Sequence, residues 1–280
     1  MPASVEELVD LLDLEVIEDN LYRGRQPDTS LQRVFGGQVL AQSLVAAVRT
    51  VPDGFACHSL HSYFLRPGDT QVPIIYDVEE IRDGRSFCTR RVAARQHGRP
   101  IFFLTANFQI PEQGLEHQDP MPKVPAPEDC VTDSSWSSRR NDDWLREWAA
   151  LEVRPVPRES PEGSHHPAQS RWWIRASATL PDDELTQLAA FTYASDMTLL
   201  STTMLPHGRT FESEGMQVAS LDHSIWFHRP FRADEWWLYD QVSPSASGGR
   251  GLALARVFSR DGQLVATVAQ EGLIRSHSAS

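Results

Sequence analysis

The side chains best suited to hold a metal or move a proton at neutral pH are the ten histidines and three cysteines, and their spacing speaks against most of that chemistry. His58 with His61, and His165 with His166, are close enough to share an ion, but neither pair has companion ligands at a recognised zinc spacing. His223 and His228 lie within LDHSIWFHRPF, where packing with a satisfied ring nitrogen is the expected role. Cys57, Cys88 and Cys130 are odd in number and form no CxxC, so neither a disulfide framework nor a zinc knuckle is expected. There is no G-x-S-x-G elbow to present a hydrolase serine, no HExxH and no P-loop. One concentration of charge stands out: Arg82, Arg85, Arg90, Arg91, Arg95 and Arg99 crowd a single predicted hairpin. They suit either a polyanionic ligand or a solvated strand face.

The elements that must carry these residues are written twice. SYFLRPG at 62–68 and IWFHRPF at 225–231 are paraphrases of one buried strand that ends at Arg-Pro, because proline cannot donate to a ladder. Pro67 and Pro230 are 163 positions apart, as are Tyr76 and Tyr239, and the turn glycines Gly98 and Gly262 are 164 apart. A near-constant offset over three landmarks indicates a duplicated domain. In the first copy an apolar helix over 34–52 precedes strands at 58–66, 73–81, 86–97 and 100–109. Residues 111–140, with PMPKVPAPED at their centre, read as a surface linker, and a short helix is expected over 141–150. The second copy reads as strands 151–156 and 170–178, a helix over 183–204 closed by Pro206 and Gly208, and strands 216–229, 235–245, 250–260 and 263–274. Each unit is a helix wrapped by an antiparallel sheet, an α+β architecture.

Composition narrows the function further. A chain of 280 residues, 40% of them hydrophobic, can bury a large core. Its formal net charge of −12 argues against a nucleic-acid surface. The N-terminus has acidic residues where a signal peptide would be basic, and Ser4 with Glu7 reads as a capping box. No stretch approaches the roughly 20 apolar residues of a membrane span. A cytoplasmic protein, with no membrane and no nucleic acid among its partners, is expected.

FGGQVLAQSL, HSYFLRPGD, IYDVEEIRDGRSFCTRRVAA, FTYASD, LDHSIWFHRPF and VAQEGLIR, in that order, closely resemble the acyl-CoA thioesterase II family. The resemblance implies a double hotdog: a first domain over 1–111, a linker over 112–145 and a second domain over 146–280. It implies hydrolysis of fatty acyl-CoA to free fatty acid and CoA, without cofactor or metal, in a homo-oligomer paired through exposed sheet edges. Carried over by position, the family's catalytic Asp is Asp196 and its Gln is Gln270, which is expected on an edge strand. The family's Thr is replaced here by Ser220, which keeps the hydroxyl and loses the methyl.

Those residue types suit the chemistry, since thioester hydrolysis needs an activated water and donors for the oxyanion. Asp196, flanked by Met197, Leu199 and Leu200, can act as base, while Ser220 and Gln270 hold the water. Backbone amides around Gly37 and Gln38 are candidates for the oxyanion, and His61 and Arg91 for further substrate contacts. A non-catalytic acyl-CoA-binding protein and an enoyl-CoA hydratase are the alternatives that hotdog folds also support.

Overall fold

The computed structural model of the chain describes residues 1–130, 147–157 and 167–276. Helix α1 (Val5–Leu12) starts as its sequence indicates. The Ser4 hydroxyl accepts from the Glu7 amide at 3.2 Å, and the Glu7 carboxylate reaches back to the Ala3 amide at 2.8 Å. Next come β1 (Glu15–Glu18), β2 (Leu21–Gly24), α2 (Gly36–Val48), β3 (Ala56–Phe64), β4 (Ile74–Asp83), β5 (Phe87–Gln96) and β6 (Arg99–Gln109). The second half supplies β7 (Leu151–Pro155), β8 (Gln169–Ala176), α3 (Glu184–Ser195) and a 3-10 helix at Leu199–His207. Strands β9 (Met216–Ser220), β10 (Asp222–Phe227), β11 (Trp237–Ser247), β12 (Arg250–Ser259) and β13 (Leu264–Ser276) complete it. The helix expected over 141–150 falls mostly outside the described residues.

Among the described residues all these strands join one antiparallel sheet, in the order β1-β2-β4-β5-β6-β3-β10-β13-β12-β11-β8-β7, with β9 also paired to β13. The order is a palindrome of the duplication: β3 answers β10, β6 answers β13, and so on outward. At the centre His61 faces Ser224 across the β3–β10 pair, and these residues are 163 positions apart, the offset read from the sequence. A local two-fold axis therefore passes between them.

The sheet wraps two helices that lie against each other. Every residue of α2 from Gly37 to Ala47 is buried, as its apolar sequence demands. Leu40 and Leu44 are fully inaccessible, and burying side chains of this size stabilises the fold by about 1.5–3 kcal/mol each. The connection after β6 is pinned to the outer face of the second half. Trp173 Nε1 donates to the Pro125 carbonyl at 2.9 Å, Gln118 exchanges hydrogen bonds with Gly262 and Leu264, and Met121 and Val124 cover Trp173, Leu238 and Phe258. Among the described residues no helix is long and apolar enough to cross a membrane.

Candidate active site

The helix expected over 183–204 breaks at Asp196. α3 ends at Ser195, Asp196 is its C-cap, and the chain continues after Thr198 as the tighter 3-10 helix. Hydroxyl side chains explain the break. Ser195, Ser201 and Thr203 each donate to the carbonyl three residues back, at 2.8, 2.6 and 2.8 Å, competing with the α-helical ladder. Thr198 and Thr202 are drawn instead to Gln241 on β11, at 2.5 and 2.9 Å. Asp196 thus sits at a helix end, and its carboxylate can turn across to α2.

The N-terminus of α2 receives it. The N-cap residue, Phe35, provides no side-chain cap, so the first amides of the helix are open to another partner. The Gly37 amide donates to the Asp196 carboxylate. Both glycines of FGGQ are required by space: a Cβ on Gly36 would lie 2.4 Å from Asp196 Oδ2, and one on Gly37 would lie 2.2 Å from the Tyr193 carbonyl of α3.

Ser220 and His223 reach the same point through a bulge. Ser220 pairs with Gly272 and Ser224 with Ala269, so four steps along β9–β10 match three along β13, and one extra residue interrupts the strand expected over 216–229. Residues three apart on a regular strand face opposite sides; the bulge turns both Ser220 and His223 toward Asp196. Gln270 lies in the interior of the sheet, with β12 on one side and β9–β10 on the other, not on an edge strand, and is fully buried. Its Nε2 donates to Asp196 Oδ1 at 2.5 Å and to Ser220 Oγ at 3.0 Å. Its Oε1 has no partner among the described residues. Burial pushes the Asp196 carboxyl up to about 7, opposed by the hydrogen bonds from Gln270 and Gly37. Burial also lowers His223 to about 3.

The structure thus brings Asp196, Ser220, Gln270 and Gly37 together. The other three candidates lie elsewhere. Gln38 is buried, and its backbone amide, the oxyanion candidate, is taken up by the Phe35 carbonyl at 3.1 Å, while its side chain turns away to the Arg25 carbonyl and Gln26 Oε1. His61 is on the solvent face of the sheet beside the two-fold axis, 3.1 Å from Ser224 Oγ. Arg91 is on the same outer face, paired with Glu79. Three of the six arginines of the hairpin face carboxylates, with Arg95 at 3.7 Å from Asp77, Arg90 at 2.7 Å from Asp83 and Arg91 beside Glu79. The arginines near the site are Arg33 and Arg66, which sequence reasoning did not single out. They line a cleft of about 360 Å³ whose wall includes Gly36, Val39, Phe64, Phe102, Val218 and Ser220. A larger hollow of about 770 Å³ lies away from Asp196, beside α1, and its lining includes Glu7, Asp10, Asp28 and Glu147. Its carboxylates would repel an anionic ligand, so the smaller cleft is the one that fits the chemistry.

The symmetry-related position in the first half lacks this group. Applying the offset, Cys57 stands for Ser220, Ala106 for Gln270 and Arg90 for Ala253. The C-cap of α2, equivalent to Asp196, is Arg49, which turns to Leu14 O and Asp13 at 2.6 Å each. Buried Arg90 binds Thr50 Oγ1 and Asp83 there. The N-terminus of α3 is closed by its own Asp183, which accepts from the Thr186 amide at 2.8 Å.

Comparison with known proteins shows the family. The family model described as acyl-CoA thioesterase matches residues 141–273, and that of the acyl-CoA thioesterase N-terminal domain matches 25–109. Acyl-CoA thioesterase 2 of Haemophilus influenzae is 45% identical over 97% of this chain and 98% of that protein. The crystal structure of the acyl-CoA thioesterase II TesB2 from Mycobacterium marinum superposes with a TM-score of 0.85 at 47% identity, covering 99% of this chain and 100% of that one. A conserved protein with a hot dog fold from Alicyclobacillus acidocaldarius, 21% identical, superposes at 0.78 over 96% of this chain and 98% of its own, a likeness of fold. The mirrored halves are those of a double hotdog, and the chain belongs to the acyl-CoA thioesterase family, whose members are thioester hydrolases.

Proposed function

We propose that this thioesterase hydrolyses fatty acyl-CoA to free acid and CoA with a water held by Asp196, Ser220 and Gln270. One observation carries the reading: the Gln270 amide bridges a buried carboxylate and a hydroxyl at the uncapped start of a helix. Because Ser220 Oγ accepts from Gln270, its own hydrogen is free to be donated to the water. The buried Gln270 Oε1 can take one hydrogen of that water, and Asp196 the other. As the water oxygen bonds to the thioester carbon, its proton passes to Asp196 and the carbonyl electrons move onto oxygen. The Gly37 amide is already engaged by Asp196, which leaves the Gly36 amide and the start of α2 to face the oxyanion. Collapse breaks the C–S bond, and the CoA thiolate leaves and is protonated. No covalent intermediate is formed.

The apolar wall of the cleft suits an acyl chain, and Arg33 and Arg66 suit the anionic end of CoA despite the overall charge of −12. Free-thiol release measured over a chain-length series of acyl-CoA tests the reading. No thiol from any chain length would overturn it. Division into domains at 1–111 and 146–280 is supported by the mirrored strand order. Self-association is supported by Tyr63, Phe103 and Trp226, exposed on the sheet's outer face, and light scattering would give the stoichiometry. A cytoplasmic setting fits the three free thiols.

A further inference from the structure

His223 is fully buried beside Asp196, and its two ring nitrogens have unequal surroundings. Nε2 lies 3.0 Å from Ser195 Oγ, whose single hydrogen is donated to the Thr192 carbonyl at 2.8 Å. With that hydrogen assigned to Thr192, Ser195 accepts from the ring, which places the ring hydrogen on Nε2. A neutral ring protonated at Nε2 bears a lone pair at Nδ1. That Nδ1 has no hydrogen-bond partner among the described residues and lies 3.7 Å from Asp196 Oδ1. Two acceptors face each other in a dry site, which disfavours the ionised carboxylate. When Asp196 is protonated, the same contact becomes a donor facing an acceptor, and an approach of about 1 Å from the 3.7 Å separation closes it into a hydrogen bond.

We propose that His223 Nδ1 accepts a hydrogen bond from the Asp196 carboxyl once Asp196 has taken the proton of the attacking water, making His223 the positioning residue that sets the strength of the base. The proposal rests on the reading of Asp196 as that base. In the step, the water O–H bond breaks as Asp196 O–H forms. The proton stays on oxygen, directed at Nδ1, and departs to the CoA thiolate or to solvent after the C–S bond breaks. His223 remains neutral throughout, in accord with burial holding its protonation down to about 3 while burial lifts Asp196 to about 7.

The groups around the pair are neutral dipoles. α2 contributes the Gly37 amide, β13 contributes Gln270, β9 contributes Ser220 and α3 contributes Ser195. From β11, Tyr239 donates its hydroxyl to the Ser195 carbonyl at 2.8 Å. Among the described residues no arginine or lysine pairs with Asp196, so the acceptor at Nδ1 has no neighbouring cation to mask its effect.

Two substitutions separate the two nitrogens. His223→Asn sets an amide oxygen near the place of Nδ1 and gives up the bond to Ser195. His223→Gln sets an amide nitrogen near the place of Nε2 and gives up the acceptor. The measurement is kcat and KM for thiol release as a function of pH. In His223→Gln the acid limb should move down by roughly one pH unit and the plateau kcat should fall about tenfold, with KM little changed. His223→Asn should keep the wild-type limb. A wild-type limb in the Gln variant together with a displaced one in the Asn variant would show that His223 acts through Ser195, and would overturn the proposal. Nitrogen NMR of histidine-labelled wild type gives an answer that needs no variant to fold: Nδ1 should be unprotonated at pH 5–8 and shift as Asp196 titrates. A proton found on Nδ1 would also overturn it. If Asp196→Asn proves fully active, the base assignment itself has failed. If that variant is inactive and Asn at 223 does no better than Gln, only the role of His223 has failed.

Discussion

At the scale of single residues, Asp196, the proposed base, carries a stability cost. Asp196→Asn should lower kcat by about two to four decades, the span usual for loss of a general base. The wild-type kcat should rise with pH through about 7 as the carboxyl ionises. Because the folded pKa is raised from 3.8 to about 7, the native state holds a proton that the unfolded chain has already released. Stability therefore falls as pH rises between those values, by at most about 4 kcal/mol at about 1.36 kcal/mol per unit. Urea unfolding should find Asp196→Asn more stable than wild type at pH 8 and little different near pH 4. Equal stability at pH 8 would contradict the burial argument. His223 has the opposite sign: with its folded pKa lowered, its contribution is lost as pH falls below about 6.5. For Ser220, Thr should retain or raise kcat, whereas Ala and Val should lower it severely. A Val variant as fast as Thr would remove the hydroxyl from the mechanism. Gln270→Ala combined with Ser220→Ala should be scarcely worse than the poorer single variant, since either change already misplaces the shared water. The three side chains became candidates through family resemblance, because neither period nor composition marks a glutamine on a strand. The expectation for His223 accounted for one ring nitrogen, which Ser195 satisfies. The other faces a carboxylate that is adjacent only after folding.

At the scale of elements, most helices and strands followed from apolar periodicity; the four-residue strands β1 and β2 are too short to show a period and were not expected, and two departures at the site are local backbone events that periodicity does not register. Hydroxyl groups bonding three residues back ended α3 early, and a bulge divided the strand over 216–229. Both departures serve the site, one by placing Asp196 at a helix end and the other by turning Ser220 and His223 to the same side. The paired glycines of α2 give a prediction at this scale. In Gly36→Ala the new methyl would meet Asp196 Oδ2 at 2.4 Å. The carboxylate must move, so activity should fall at least about a hundredfold, as a 1 Å misplacement can cost, with the melting temperature little altered. In Gly37→Ala it would meet the Tyr193 backbone carbonyl at 2.2 Å. Two helices must then separate, and overpacking of this kind costs about 1–3 kcal/mol or more. Thermal unfolding and thiol release measured side by side should show this division. Equal loss of stability in both variants would mean that Gly36 is a packing residue only.

At the scale of the whole molecule, duplication has produced two equivalent positions, and the proposed catalytic group occupies one of them. The offset that revealed the repeat also locates the second position, where Arg49, Cys57 and Ala106 replace Asp196, Ser220 and Gln270. Arg90, 1% exposed, fills that space against Thr50 and Asp83. Two symmetric sites would leave half the rate when one is lost. Here Asp196→Asn should leave no activity from the first half. Arg90 supplies the complementary test. Arg90→Met keeps much of the side-chain volume but removes the bonds to Thr50 and the ion pair with Asp83. Asp83 is about half exposed, so water can solvate the partner left behind, and the cost should lie below the 3–5 kcal/mol expected when a wholly buried pair is broken. Urea unfolding should register about 1–3 kcal/mol of destabilisation, with kcat/KM for acyl-CoA unchanged within about twofold because the Asp196 site is built from other residues. A large fall in kcat/KM in a folded Arg90→Met chain would mean that the first half takes part in catalysis after all.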